Sequence, residues 1–280
     1  MPGHTDWYQV ALTANDSYNE FKLEFNIARP TTPMGFDQAA DYTALQIAAN
    51  HPSLYIALSG GLDSEYVASV FLRNHIPFTP VIVAFKKTQE HYYALEWCRT
   101  HNVTPLILEF EEDDVEYVRH CHAITKQHRI HSVSNLMSCY IARRVKELGG
   151  YLVTGDPTIT ALTQEYNQPT GDQFRVYWFE FLVELIYPGQ HPGAFFFYTP
   201  EMALAYATHV DTTLNDASAR AKLYQTVAYR PKHYPPPVPL SVETRNKLKT
   251  IAKELPMQET GCEWTKENFI AVLTNLNTSV

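Results

Sequence analysis

The sequence predicts an α/β protein: a parallel sheet covered by helices, with an N-terminal β-hairpin and a helical C-terminal lobe. Three observations predict it. Between about residues 50 and 160, short continuous apolar runs alternate with segments of helical periodicity, the pattern of strands buried on both faces. Within that region "YIALSGGLDSEY", Tyr55 to Tyr66, passes from strand pattern to helix pattern through two glycines. Beyond Thr160 the alternation stops and aromatic clusters and a proline-rich stretch take over.

In chain order, "WYQVAL" and "FKLEFNI" flank the turn-forming "ANDS" and predict the hairpin, because the second run alternates apolar and polar residues with period two. "FDQAADYTALQIAAN", rich in alanine, predicts a helix leading to His51 and Pro52. Strands follow at "SLYIAL", "FTPVIVAF", "PLILEF" and "YLVTG", and helices at "DSEYVASVFLRN", "QEHYYALEWCRTHN" and "SNLMSCYIARRVKELGG", the last closed by Gly149 and Gly150. Two further helices are expected at "SVETRNKLKTIAKEL" and "TKENFIAVLTNL". The expected divisions are 1–50 for hairpin and helix, 51–160 for the α/β core and 161–280 for the second lobe.

Composition narrows the functional classes. The 280 residues are 45% hydrophobic, ample for a buried core, and carry a formal charge of -8, so a broad field attracting nucleic acid is not expected. Cys98, Cys121, Cys139 and Cys262 form no C-x-x-C pair, which argues against a zinc ribbon or a secreted disulfide scaffold and fits a reducing cytoplasm. No export signal is visible at "MPGHTDWYQV". The most apolar tract, "FRVYWFEFLVELIY", is broken by Arg175, Glu180 and Glu184, short of the ~18 apolar residues of a membrane span. The acidic "EFEEDDVEY" reads as a solvated loop and helix start, and the histidines of "RHCHAITKQHRIH" match no metal pattern.

The glycine loop carries the chemistry. A strand delivers the chain to Ser59, Gly60 and Gly61 allow positive φ or close approach, and a helix starts near Asp63 and Ser64. Unpaired amides of the loop and first helical turn would point at one spot, where an anion gains hydrogen bonds and the helix dipole. The serine hydroxyls add donors, and Asp63 would hold Mg²⁺ against phosphates. A tight Gly-Gly turn with a capping Asp or Ser is the plainer alternative. Against it, S-G-G-x-D-S arises by chance with a probability on the order of 10⁻³ or less, and its strand-to-helix setting suits phosphate binding. Neither G-x-x-x-x-G-K-[ST] nor G-x-G-x-x-G is present.

"SGGLDS" after an apolar strand resembles the pyrophosphate-binding loop of the PP-loop ATP pyrophosphatase superfamily, which includes asparagine, NAD and argininosuccinate synthetases and several tRNA- and base-modifying enzymes. The resemblance spans residues 50 to 160 and implies an adenine nucleotide alpha-hydrolase-like fold. It also implies ATP with Mg²⁺, cleavage between the α- and β-phosphates, transfer of AMP to a carboxylate or carbonyl oxygen, and displacement of AMP by a nitrogen or sulfur nucleophile. On this resemblance Ser59, Gly60, Gly61 and Ser64 hold pyrophosphate and Asp63 binds the metal.

Val83 and Phe85, ending the second core strand, fall where adenine lies in the superfamily, although ordinary core residues belong there too. Gln89 and Glu90 faintly resemble a segment of the enzymes making 7-cyano-7-deazaguanine, whose four-cysteine zinc site is missing here; helix capping explains them as well. "TGDPT" occupies the place of an acidic loop in asparagine synthetases, which makes Gly155 and Asp156 candidates for nucleotide and metal binding. The family's two-acid pattern is not kept. "YTPEMALAYATHV" followed by "ARAKLYQTVAYRPKHY" is loosely similar to the asparagine-synthetase segment with a lysine-bearing helix. Lys222 is therefore the candidate to neutralise transferring phosphate, with Arg230 and Lys232 behind it.

The chain reaches the loop after 58 residues, so a glutaminase of the asparagine-synthetase type is not expected within it. Nitrogen would come from ammonia, another amine or a separate amidotransferase. The layout is also similar to asparagine-synthase-like proteins of tailed bacteriophages, implying host cytoplasm. The partners expected are ATP and a small-molecule acceptor, with no membrane. Two rivals remain open: nucleic-acid base modification, using a basic strip at Arg143, Arg144 and Lys146, and a nucleotide-binding sensor without catalysis.

Overall fold

The structure, a computed structural model, describes residues 7–14, 19–26, 31–85, 91–110, 120, 123, 133–155, 159–161, 173–176, 193–211, 213–214, 216–225 and 262–274. The opening hairpin pairs β1 (Tyr8–Ala14) with β2 (Asn19–Phe25) antiparallel, in register from Tyr8 opposite Phe25 to Ala14 opposite Asn19. Helix α1 covers Phe36–Asn50, the whole of the alanine-rich segment that predicted it. Its residues Phe36, Ala39, Ala40, Thr43, Ala44 and Ile47 recur at helical spacing and are buried.

The core then alternates as expected: β3 (Leu54–Ala57), α2 (Leu62–Arg73), β4 (Thr79–Phe85), α3 (Tyr92–Thr100), β5 (Leu106–Phe110), α4 (Val133–Glu147) and β6 (Tyr151–Thr154). All four strands are parallel. Tyr55 pairs with Thr79 on one side and with Leu152 on the other, and Val81 pairs with Leu106. A two-residue strand, β9 (Gly193–Ala194), extends the sheet, giving the order β5-β4-β3-β6-β9.

This order reverses at β3. From β3 the chain winds through α2 to β4 and through α3 to β5, then returns by way of α4 to place β6 on the opposite side of β3. Connections leaving β3 and β6 therefore diverge to opposite faces, and a crevice opens between their carboxyl ends. Leu58 lies just before that crevice, its N–H donating to the Val81 carbonyl at 2.9 Å.

After residue 158 the structure describes more strand than the sequence suggested. Besides β9, an antiparallel sheet pairs β8 (Gln173–Val176) with β7 (Ile159–Ala161) on one side and β10 (Cys262–Thr265) on the other. These strands are two to four residues long, too short for period-two alternation to stand out among aromatic clusters. The expected helical content is also present: a 3₁₀ turn over Phe195–Phe197, α5 (Pro200–His209), α6 (Asp216–Leu223) and α7 (Lys266–Leu273). Pro200 occupies the first turn of α5, and the Thr199 hydroxyl caps it by accepting from Met202 N–H at 3.2 Å. The helix expected at 241–255, the proline-rich "YRPKHYPPPVP" and most of the acidic and histidine-rich stretches lie outside the described residues.

One cluster of buried side chains runs from Trp7 to Leu273, so all three expected divisions share a core. Near its centre Phe36, Tyr66, Phe196 and Tyr224, from four separate segments, lie nearly parallel. Tyr66 and Tyr224 have ring centroids 4.5 Å apart at 15°, and Phe196 lies 5.6 Å from Tyr224 at 14°. Such contacts add about 0.5–1.5 kcal/mol per pair beyond area burial. Burial, and then the Asp37 carboxylate to which its hydroxyl donates at 2.9 Å, push the Tyr66 phenol well above its ordinary value, so it stays a neutral donor.

Phe196→Ala is expected to lower stability by about 3–5 kcal/mol, because a fully buried ring leaves a cavity among three others. Urea unfolding followed by circular dichroism reads this as a lower midpoint at unchanged m-value.

Candidate active site

The loop between β3 and α2 has the conformation its glycines permit. Gly60 has φ +70°, in the region L side chains disfavour, while Gly61 is extended at φ -83° and ψ 159° and forms the N-cap of α2. No side chain caps this helix, and its first turn carries Asp63 and Glu65. Acidic residues there complement the positive end of the helix dipole.

Backbone packs tightly around the loop. A methyl group added at Gly60 would lie 2.6 Å from Ala94 N and 2.8 Å from Tyr93 Cβ, so the start of α3 rests directly on Gly60. Added at Gly155, it would lie 2.9 Å from Ser64 Cα and 3.0 Å from Ser64 N. The residue after β6 thus abuts the first turn of α2, and the two connections that diverge at β3 touch at the crevice mouth.

The serines organise the loop from within. Ser59 N–H donates to Ser64 Oγ at 3.2 Å, Gly61 N–H donates to Ser59 Oγ at 3.2 Å, and the Ser64 hydroxyl donates to the Gly61 carbonyl at 3.0 Å. The Ser59 and Ser64 oxygens lie 3.1 Å apart. This corrects one expectation: the Ser59 and Gly61 amides are not unpaired, because serine hydroxyls, which both donate and accept, take their bonds. Gly60 N–H has no acceptor among the described residues.

Asp63 is the most constrained group at the site. Its Oδ2 accepts from Arg220 Nη1 at 2.5 Å and its Oδ1 accepts from the Tyr224 hydroxyl at 3.0 Å, with side-chain exposures of 18% for Asp63 and 19% for Arg220. Arg220 and Tyr224 are four residues apart, which puts both on one face of the turn that begins in α6 and faces α2. Burial, followed by the charge of Asp63, raises the Tyr224 phenol well above its ordinary value, so it donates as a neutral hydroxyl.

The structure corrects the placement expected of Lys222. It lies two residues from Arg220, about 200° around the helix, and its Nζ donates to Asp211 Oδ2 at 2.7 Å. At 63% exposure it sits in solvent on the other face of α6, and among the described residues it is Arg220 that pairs with Asp63 of the loop. Asp211, also bonded by Thr213, is held well below the ordinary carboxylate value, first by the Lys222 hydrogen bond. Val83, half-buried near the end of β4, pairs with Leu108, and the Phe85 backbone pairs with Phe110. The Phe85 side chain, Asp156, Gln89, Glu90, Arg230 and Lys232 lie outside the described residues. On α4, Arg143 and Arg144 both face Glu147, at 3.7 Å and 2.6 Å, so the expected basic strip is partly neutralised.

Sequence reasoning missed Arg220 and Tyr224. The available signal was a cation and an aromatic at i and i+4 in "ARAKLYQ", but nothing local tied them to a residue 157 positions earlier.

Residues 44–155 match the family model described as asparagine synthase. The core is asparagine-synthase-like. The matched span includes the loop, Asp63 and Gly155, and stops short of Arg220. No curated protein matches the chain. Among solved structures, NMN synthetase from Francisella tularensis is 17% identical over 44% of this chain and 54% of that one, with a TM-score of 0.34. The NH3-dependent NAD synthetase from Campylobacter jejuni subsp. jejuni NCTC 11168, in complex with the nitrate ion, is 20% identical over 40% and 48%, with a TM-score of 0.29. A predicted subunit of tRNA methyltransferase from Methanocaldococcus jannaschii is 12% identical over 48% and 63%, with a TM-score of 0.31. The chain thus spans 54%, 48% and 63% of the length of these three structures.

The residues present fit a magnesium ion accompanying phosphates. Asp63 brings a carboxylate to the loop, and magnesium needs only one or two carboxylates beside phosphate oxygens and water. Among the described residues no group of three or more His, Cys, Asp or Glu could hold a metal, and no helix is long and apolar enough to cross a membrane.

Two predictions test this geometry. Gly60→Ala is expected to lower stability by at least about 1 kcal/mol from its left-handed backbone alone, whereas Gly35→Ala, with open space around it, stays near wild type in the same thermal melts. Asp211→Asn tests the depressed carboxyl. Its contribution to stability is present above the ordinary value of 3.8 and is lost as pH falls through the lower folded value, so the melting difference from wild type closes in acid.

Proposed function

We propose that this chain is an ATP-dependent ligase or transferase that adenylates an acceptor and releases pyrophosphate. The observation that carries the reading is the S-G-G-x-D-S loop, set between the first turns of α2 and α3 at the point where strand order reverses. The asparagine synthase match over residues 44–155 supports it.

In the proposed reaction an oxygen of an acceptor carboxylate or carbonyl attacks the α-phosphorus of ATP, and the bond from that phosphorus to the β-bridging oxygen breaks. Pyrophosphate leaves with the bond electrons. An amine, ammonia or a sulfur nucleophile then attacks the activated carbon, AMP departs, and the nucleophile loses a proton to solvent. The loop's part is to position and neutralise the leaving group: Gly60 N–H supplies a donor directly, Ser59, Gly61 and Ser64 would supply theirs by exchanging bonds made within the loop for bonds to phosphate, and Asp63 would hold magnesium, which supplies positive charge beside the phosphates. Val83, Phe85 and Gly155 line the adenosine side, with Asp156 as a second metal ligand. In the same proposal residues 51–160 bind nucleotide, 161–280 contribute the acceptor side, and a separate donor or amidotransferase brings nitrogen. The buried, free thiol of Cys98 suits a reducing cytoplasm.

The test is pyrophosphate release from ATP and Mg²⁺ in a screen of carboxylates, carbonyl compounds and nucleic acids with ammonia, amines and thiols. The reading expects release and AMP formation with at least one pair, and expects Asp63→Ala to weaken magnesium-dependent ATP binding by about tenfold or more. Stable ATP binding with no AMP from any pair would favour a sensor, and no ATP binding at all would overturn the reading.

A further inference from the structure

The Asp63–Arg220 pair has a feature that a purely structural ion pair does not need. Asp63 belongs to the loop and first helical turn, while Arg220 comes from a helix 157 residues later and is less than one-fifth exposed. A guanidinium so placed requires a counter-anion, and removing one partner of a largely desolvated pair leaves the other charge uncompensated. Arginine's planar fork also suits phosphate oxygens as well as it suits a carboxylate. The second partner of Asp63 is fixed independently: the fully buried Tyr224 stacks on Tyr66 and Phe196. The carboxylate therefore keeps one anchor if the arginine leaves.

We propose that Arg220 is the residue that receives the departing pyrophosphate, and that Asp63 holds it at the loop until a magnesium nucleotide enters. The exchange is one of partners. Arg220 gives up Asp63 Oδ2 for phosphate oxygens, Tyr224 keeps Oδ1, and the released oxygen becomes available to the incoming magnesium. No bond is made or broken. The guanidinium remains protonated throughout, as arginine does in proteins, and each anion is paired before and after. The inference rests on the ligase reading for the identity of the anion, but Arg220 and Tyr224, the partners of Asp63, lie outside the matched family span.

The experiment is calorimetric titration of the full chain with inorganic pyrophosphate, with saturating Mg²⁺ and again in a chelator, using wild type, Arg220→Gln, Arg220→Lys, Asp63→Asn and Tyr224→Phe. Thermal melts of each accompany the titrations. With magnesium, Arg220→Gln is expected to weaken pyrophosphate binding by about 10- to 100-fold, Arg220→Lys to recover part of that loss, and Tyr224→Phe to stay within about threefold of wild type. The decisive arm is Asp63→Asn in chelator. With the Asp63 charge removed, this variant binds pyrophosphate several-fold more tightly than wild type, and the gain is lost in the Asp63→Asn/Arg220→Gln double variant, whereas relief of charge repulsion alone would leave it in place.

Equal metal-free affinity in Asp63→Asn and wild type overturns the proposal, even if Arg220→Gln does not fold. Wild-type affinity in a folded Arg220→Gln overturns it as well. Pyrophosphate binding by wild type combined with either of those results refutes the role of Arg220 alone. Absence of pyrophosphate and ATP binding by wild type, with or without magnesium, refutes the ligase reading along with it.

Discussion

Close backbone approach at Gly60 and Gly155 is the constraint from which the rest of the site follows. The loop after β3 can lie between the start of α3 and the residue after β6 because neither glycine carries a Cβ; at either position a methyl group would fall within 3 Å of neighbouring backbone. Strand order supplies the crevice, but these two contacts set its floor. They bring the first turns of two helices and the end of a third strand to one place, which pairing within the sheet alone would leave apart.

A second group of contacts ties the distant half of the chain to that floor. Phe36, Tyr66, Phe196 and Tyr224 lie nearly parallel in one buried stack, and Tyr224 carries the hydroxyl that reaches Asp63. Packing and polar geometry are thus joined in one side chain: the ring is held by hydrophobic contact and the phenol, kept neutral by burial, transmits that position to the carboxylate. Arg220 adds a charge to the same face. A carboxylate bonded through both oxygens has little rotational freedom.

How much of this was legible depended on the range of the interaction. The limits of α1 could be read to the residue, because alanine spacing and the flanking Gly35 and His51 are local signals. The strands β3 to β6 showed as apolar runs for the same reason, and the S-G-G-x-D-S motif marked the loop with its positive φ. Asp63 was identified, but not its partners: "ARAKLYQ" has no local mark that selects Arg220 over Lys222, and only the orientation of α6 decides between them. The occupied amides of Ser59 and Gly61 were equally hidden, since nothing in the sequence decides whether a hydroxyl five or two residues away accepts from them. Short antiparallel strands after residue 158 left too few positions for a period to form.

The separation between Asp63 and Arg220 has a consequence for how the molecule is made. A chain leaving the ribosome can fold its parallel strands as they emerge, but the guanidinium that neutralises Asp63 is synthesised 157 residues later. Until then the carboxylate lacks that counter-charge. The contacts around Asp63 are in this way completed only after residue 220 has been made.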